Sequence, residues 1–195
     1  MKKRFVFVFS GPSGAGKTTL IKHVLKTFGD DVDISVSCTT RNPRSGETDA
    51  IDYYFISRSK FGKFVDEGQF LEFTDCYGNQ YGTLKSTVLG ILANRKACIL
   101  DVDYKGAKAI LNEEVWNVEG DLEIHKIGIL VLPPSIEVLR KRLLGRKSET
   151  KESLDKRISE SFNGESIAKY EHVIINDDMS RAKKEVQNII KLYFK

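Results

Sequence analysis

Residues 5–19, FVFVFSGPSGAGKTT, set an apolar run directly against a loop that carries three glycines, one lysine and two threonines. An apolar run without alternation is typical of a strand that is buried on both faces of a parallel sheet. Residues 4–10 are therefore predicted to be a core strand, followed by a helix from about Gly16 to Thr27. The loop between them, GPSGAGKT at 11–18, fits the pattern G-x-x-x-x-G-K-[ST].

This segment, called the phosphate loop below (residues 11–18), has the chemistry of an anion cradle. Glycine permits backbone turns in which consecutive N–H groups point at one anion, and a helix N-terminus adds its positive end. Lys17 is predicted to reach the β- and γ-phosphates of a nucleoside triphosphate, and Thr18 to offer its hydroxyl to Mg²⁺. The residues predicted to bind the triphosphate are Gly11, Pro12, Ser13, Gly14, Ala15, Gly16, Lys17, Thr18 and Thr19. The alternative is a glycine-rich structural turn.

A second apolar run is followed by two aspartates. CILDVD, residues 98–103, places Asp101 and Asp103 after apolar positions, and Asp101 is the preferred partner of a hydrated Mg²⁺, through water. Many strands end in aspartate, so this signal gains its meaning from the phosphate loop. At this point a GTPase switch, an ATPase motor, a small-molecule kinase and a non-catalytic scaffold all stay open.

Composition excludes several other classes. The chain has 195 residues with 41% hydrophobic and 30% charged residues, which fits one globular domain. No apolar run reaches 18 residues, and the basic start MKKRFVFVFS enters the glycine loop without a cleavage site, so we expect a cytoplasmic protein. A net charge of +4 suits small anionic substrates as well as nucleic acid. The scattered Cys38, Cys76, Cys98, His23, His125 and His172 favour neither a disulfide framework nor a His- or Cys-based metal site.

Apolar runs alternate with helical patterns along the chain, which predicts an α/β fold with a parallel sheet core flanked by helices. Further strands are predicted at 97–103, 127–132 and 172–176, and further helices at 104–112, 135–145, 150–163 and 179–193. Residues 33–83 hold short runs rich in Tyr, Arg, Ser and Thr, which predicts a small, partly antiparallel insert.

Three longer stretches carry a resemblance to a known family: SVSCTTRNPRSGETDAIDYYF (35–55), FLEFTDCYGNQYGT (70–83) and ILDVDYKGAK (99–108). With the phosphate loop, and in this order and spacing, they make the chain similar to the guanylate kinase family over nearly its whole length. The resemblance implies ATP-dependent phosphorylation of GMP to GDP with Mg²⁺. It also implies a P-loop core at 1–32, 84–136 and 166–195, a mixed α+β GMP-binding insert at 33–83, and a helical lid at about 137–165.

The residues of the insert suit a nucleoside monophosphate. Arg41 and Arg44 can hold phosphate oxygens with bidentate guanidinium groups, and Tyr53 and Tyr81 can add phenolic donors. By resemblance these four form the clamp for the GMP phosphate; the alternatives are surface solvation for the arginines and packing for the tyrosines.

The guanine edge has its own predicted partners. It presents two N–H donors beside a carbonyl, and one carboxylate can accept from both donors. Glu72 resembles the family's guanine-reading carboxylate, Ser37 and Thr83 resemble its hydroxyl partners, and Glu47 and Asp103 resemble further positions near GMP.

No general base is needed, because the attacking phosphate oxygen is already ionised and alignment with charge neutralisation does most of the work. The predicted catalytic residues are Lys17, Arg41, Arg142, Arg146 and Arg157, the last three in the basic stretch 140–157. The chain departs from the family pattern at 158–170, ISESFNGESIAKY, and at 112–126, which is longer and more acidic than usual.

Two other functions remain as alternatives. One is an interaction module that keeps this fold and binds protein partners, which the intact Lys17 and Thr18 disfavour. The other is a kinase for a different nucleoside monophosphate, which Glu72, Ser37 and Thr83 disfavour because they suit a guanine edge. We expect ATP and GMP as the partners, with no nucleic acid or membrane partner, and either a monomer or a homodimer.

Overall fold

A computed structural model describes residues 3–76, 78–112, 123–144 and 170–194. In chain order the elements are β1 (Lys3–Ser10), α1 (Lys17–Phe28), β2 (Val32–Ile34), β3 (Cys38–Thr39), β4 (Tyr54–Phe55), α2 (Arg58–Asp66), β5 (Phe70–Cys76), β6 (Asn79–Leu84), α3 (Lys85–Ala93), β7 (Ala97–Asp101), α4 (Tyr104–Leu111), β8 (Glu123–Leu132), α5 (Ile136–Leu144), β9 (His172–Ile175) and α6 (Met179–Tyr193). The predicted helix at 150–163 lies outside the described residues, as do most of the segment 137–165 and most of the link 112–126.

The core is a five-stranded sheet in the order β2-β7-β1-β8-β9, and every pairing in it is parallel. The α/β core predicted from the sequence is confirmed. The edge strand β2 was not predicted as a core strand: it has three residues, too few to show a pattern, and it spans the predicted boundary between core and insert at 32/33. Strand β8 begins at Glu123, before the predicted start at 127. The prediction missed its first residues because they are exposed or only partly buried.

Side chains of β1 alternate between two helical layers. Phe7 and Phe9 face a cluster that contains the buried residues of α1 and α6. Val6 and Val8 face a second cluster, built with α3 and α4. All four side chains are fully buried, which explains why the run lacks any polar alternation.

A second sheet has four strands in the order β4-β3-β6-β5 and mixed pairing, parallel for β3 with β4 and antiparallel elsewhere. Helix α2, which the sequence analysis did not predict, begins after Ser57, whose hydroxyl accepts from Lys60 N–H at 3.2 Å. Its Phe61 packs on Phe70 with ring centroids 4.5 Å apart and closes a small core under this sheet.

The topology brings the polar segments to one edge of the core. Parallel strands β1 and β7 end side by side, with Phe9 in register with Asp101. The phosphate loop and the acid after β7 therefore meet at the carboxyl ends of adjacent strands. Among the described helices, none has the length and apolar character needed to cross a membrane.

Candidate active site

The phosphate loop requires its glycines for two reasons. Gly11, Gly14 and Gly16 have φ of 135°, 89° and 102°, in the region that side-chain-bearing residues avoid. A Cβ at Gly11 would lie 2.1 Å from the Val131 carbonyl oxygen, and one at Gly16 would lie 2.3 Å from Asn176 Nδ2. The loop therefore lies against the ends of β8 and β9. Among the described residues no side chain caps α1, and the N–H groups of Thr19 and Leu20 donate to the Gly16 carbonyl at 3.1 and 3.2 Å.

Lys17 and Thr18 meet Asp101 at the mouth of this loop. Lys17 Nζ donates to the Gly11 carbonyl at 2.8 Å and lies 3.9 Å from Asp101 Oδ1. Burial raises the pKa of Asp101, while the Lys17 ammonium and the Thr18 hydroxyl act to lower it. An ammonium, a hydroxyl and a carboxylate thus converge beside the phosphate loop.

The two oxygen-bearing groups, the Thr18 hydroxyl and the Asp101 carboxylate, suit Mg²⁺. Within the part of the chain that the structure describes, no group of three or more His, Cys, Asp or Glu side chains could hold a metal ion by itself. Mg²⁺ bound to nucleotide phosphates keeps several waters and needs only one or two protein oxygens. The Thr18 hydroxyl beside the Asp101 carboxylate provides such a set.

Arg41 is held in place by Glu47. Two parallel hydrogen bonds of 2.9 Å join the guanidinium to the carboxylate. This pairing raises the pKa of Arg41 and lowers that of Glu47. Glu47 also accepts from the backbone N–H of Arg44 at 2.7 Å, so it organises the TTRNPR turn, and the Arg44 side chain is exposed.

Two tyrosines lie beside the Arg41–Glu47 pair. The rings of Tyr53 and Tyr81 meet edge to face with centroids 6.0 Å apart, and Arg41 lies 5.4 Å from the centroid of Tyr53. Burial raises the pKa of Tyr53, and the charge of Asp101 raises it further. Its hydroxyl is therefore protonated at neutral pH and can donate a hydrogen bond.

Glu72 is a buried carboxylate, 7% exposed, on the inner face of the second sheet. It lies opposite Thr83 across β5 and β6, and the Thr83 hydroxyl donates to its Oε1 at 2.7 Å. Burial raises the pKa of Glu72 to about 7; the charge of Asp103 adds to the rise, and the hydroxyl and N–H of Thr83 oppose it. A ligand with two N–H donors would favour the ionised form.

Asp103 has a structural task as well. It caps α4, where its Oδ1 accepts from Gly106 N–H at 2.8 Å. Gly106 itself lies against Glu72: a Cβ added at Gly106 would lie 2.6 Å from Glu72 Oε2. Sequence reasoning missed Gly106, and only its place in the quoted stretch ILDVDYKGAK could have pointed to it.

Asn176 was also missed. Its side chain is 1% exposed, and its Nδ2 donates to the Ala15 carbonyl in the phosphate loop at 2.7 Å. Its own carbonyl accepts from Arg142 Nη2 at 2.9 Å, so Arg142 contacts the end of β9 in this structure. A polar residue directly after the apolar run HVII is the signal that marks it.

Most of the predicted residues that the structure describes fall into three groups. The first is the phosphate loop with Asp101, the second is Arg41 with Glu47 and the two tyrosines, and the third is Glu72 with Thr83 and Asp103. Ser37 is half-buried just before β3, where its carbonyl accepts from Tyr54 N–H at 2.9 Å. Arg146 and Arg157 lie outside the described residues.

Comparison with known proteins gives a consistent result. The family model of guanylate kinase matches residues 3–193. A curated guanylate kinase of Clostridioides difficile (strain 630) is 41% identical over 191 residues, which cover 97% of this chain and 88% of that protein. One from Alkalilimnicola ehrlichii is 37% identical over 185 residues, covering 94% of this chain and 86% of its own. The crystal structure of guanylate kinase from Anaplasma phagocytophilum matches with a TM-score of 0.72 at 26% identity, covering 97% of this chain and 86% of that one.

Proposed function

The chain belongs to the guanylate kinase family, and from that premise we propose that it transfers the γ-phosphoryl group of ATP to GMP in a Mg²⁺-assisted, in-line reaction. The observation that carries the proposal is the buried Glu72–Thr83 pair, with its 2.7 Å hydrogen bond, in a chain that keeps an intact phosphate loop. The setting we propose is purine nucleotide metabolism in the cytoplasm.

The donor half of the proposed site is residues 11–19, which bind the tail of ATP. Lys17 now donates to a loop carbonyl at 2.8 Å, and a γ-phosphate would replace that weaker acceptor with a charged one. Thr18 and, through water, Asp101 would hold Mg²⁺, which when bound neutralises charge on the phosphate oxygens.

The acceptor half holds the GMP phosphate with Arg41, Arg44, Tyr53 and Tyr81. Glu47 keeps the Arg41 guanidinium in one orientation before the substrate arrives, which reduces the entropy lost on binding. The exposed Arg44 supplies a second guanidinium on the same turn.

Glu72 reads the guanine base by accepting from the ring N–H and the amino group. Thr83 fixes one of its oxygens, Ser37 donates a hydroxyl, and Asp103 lies near the same edge. Adenine presents an unprotonated ring nitrogen there and would leave the carboxylate unpaired, which supports strong discrimination.

Chemistry then requires alignment and charge neutralisation and no general base. Lys17, Arg41 and three arginines of the segment 137–165 (Arg142, Arg146 and Arg157) are proposed to surround the transferring group. Closure of that segment as a lid over the core and the insert at 33–83 would exclude water and limit ATP hydrolysis.

An ADP-release assay with GMP, AMP, CMP and UMP in parallel tests the proposal. We expect turnover with GMP that depends on Mg²⁺ and exceeds that with the other monophosphates by orders of magnitude. Efficient use of AMP without use of GMP would refute the base-reading assignment, and binding of GMP without any turnover would favour an interaction module.

A further inference from the structure

We infer that Gly106 is a specificity-positioning residue: the space left by its missing side chain fixes where the Glu72 carboxylate sits. The inference rests on the proposed role of Glu72 in reading guanine. In this view the first turn of α4 forms one side of the base-binding site and makes no polar contact with the base.

The carboxylate is confined from two sides. Thr83 donates to Oε1 at 2.7 Å from β6. On the other side, an ideal Cβ at Gly106 would lie 2.6 Å from Oε2 and 3.1 Å from Cδ of Glu72. Any side chain at position 106 would therefore occupy the volume of the carboxylate.

The backbone alone does not explain this glycine. Its φ lies outside the left-handed region, so alanine could adopt the same conformation. Glycine inside a helix costs about 1 kcal/mol relative to alanine. The Gly106 N–H that donates to Asp103 at 2.8 Å would also survive the substitution. The close approach to Glu72 is the remaining reason; the next contact, 3.3 Å to the Val102 Cβ, requires a shift of only a few tenths of an ångström.

The way the clash between a Cβ at position 106 and the Glu72 carboxylate is relieved decides whether GMP use or fold stability is reduced. The nearest atom is the far end of a flexible side chain, so relief is cheap for the fold: the carboxylate moves from 2.6 Å to an ordinary contact of at least 3.4 Å, about 0.8 Å. That end is also the group that must accept two N–H donors. Hydrogen-bond arrays tolerate displacements of only about 0.5 Å, so the loss should appear in GMP use and leave stability intact.

Gly106→Ala is the direct test, with Gly90→Ala as its matched control. Gly90 is an exposed helical glycine in α3, and a Cβ placed there meets no described atom within 4 Å apart from its chain neighbours and the backbone of its own helix. For Gly106→Ala we expect kcat/KM for GMP to fall about 10- to 100-fold, with KM for ATP unchanged and the melting temperature equal to or above wild type. Gly90→Ala should keep wild-type kinetics. Unchanged GMP kinetics in Gly106→Ala would overturn the inference, and so would a lower melting temperature with equal losses for ATP and GMP.

A double mutant separates this inference from the proposed function. In a Glu72→Ala background there is no carboxylate to displace, so adding Gly106→Ala should change the residual GMP activity by less than about twofold. A full additional loss in that background would show that Gly106 acts by another route. If wild type neither binds nor phosphorylates GMP, the proposed function fails. If Glu72→Gln impairs GMP use and Gly106→Ala does not, only the present inference fails.

Discussion

Replacing Glu72 by glutamine should raise the stability of the ligand-free protein while it damages selection of GMP. The pKa of Glu72 is about 7 in the folded protein, against an ordinary value of 4.5. Between these values the native state binds more protons than the unfolded state, so this group lowers stability as pH rises through that window. At pH 8 the accumulated cost is about 3 kcal/mol, and below about pH 4.5 it vanishes. Glutamine removes the titration and with it most of this cost.

The same change should weaken GMP binding. Thr83 already occupies Oε1 at 2.7 Å, and the base must use the remaining acceptor positions. An amide replaces one acceptor by a donor, which loses a charge-assisted hydrogen bond of about 1.5–3 kcal/mol and opposes it with a second donor. The expected loss in kcat/KM for GMP is about 10- to 150-fold.

Two measurements decide the outcome. Thermal unfolding at pH 8 and pH 5 should show Glu72→Gln more stable than wild type at pH 8, with the difference shrinking at pH 5. Initial rates at varied GMP and varied ATP should show the loss for GMP only. Equal losses for both nucleotides, or a variant that is less stable at pH 8, would refute the reasoning about this buried carboxylate.

Three other outcomes follow from the same site. Lys17→Ala should lower kcat by about 100-fold or more with a small change in KM for GMP; single-turnover kinetics with normal phosphoryl transfer would contradict the phosphate-loop assignment. Glu47→Gln removes the carboxylate charge and one of the two 2.9 Å acceptors of the Arg41 guanidinium and should raise KM for GMP about tenfold without changing that for ATP; titration calorimetry with guanosine, which lacks the phosphate, is the control and should show no change. Since guanine binding requires the ionised form of Glu72, whose pKa is about 7, KM for GMP should fall about tenfold from pH 6 to pH 8; Glu72→Gln, which keeps only the titration of the substrate phosphate, should lose most of that dependence.

Local patterns carried much of the fold. The apolar run at 4–10 and the glycine loop after it predict β1, the loop and α1, because strand burial and the glycine turns are decided within about fifteen consecutive residues. Helix α2 was missed although its cap at Ser57 is local, whereas strand β2 was missed for the opposite reason. A three-residue strand has no periodicity of its own, and it forms because Ala97 and its neighbours lie beside it.

Residues that act by close approach were harder to predict. Asn176 contacts the phosphate loop across 161 positions of sequence; its place after the run HVII marks the residue, but nothing local marks its partner. Gly106 resembles any helical glycine until Glu72 is placed against it. Arg142 was predicted among the catalytic arginines, and in this structure its guanidinium donates to the Asn176 carbonyl. Its proposed contact with the transferring phosphoryl group stays a prediction.

The carboxylates of the site differ in what compensates their burial, and that difference explains the proposed selectivity. Glu47 has the Arg41 guanidinium, which lowers its pKa, and Asp101 has the Lys17 ammonium 3.9 Å away. Glu72 has the hydroxyl and N–H of Thr83, while the charge of Asp103 works against it. The desolvation of its ionised form is therefore not fully compensated until a ligand supplies two N–H donors. Guanine can supply both donors, whereas adenine presents a bare ring nitrogen that only the protonated acid could pair with. Burial of the Glu72 carboxylate thus lowers the stability of the ligand-free protein, and the same burial makes the binding of adenine unfavourable.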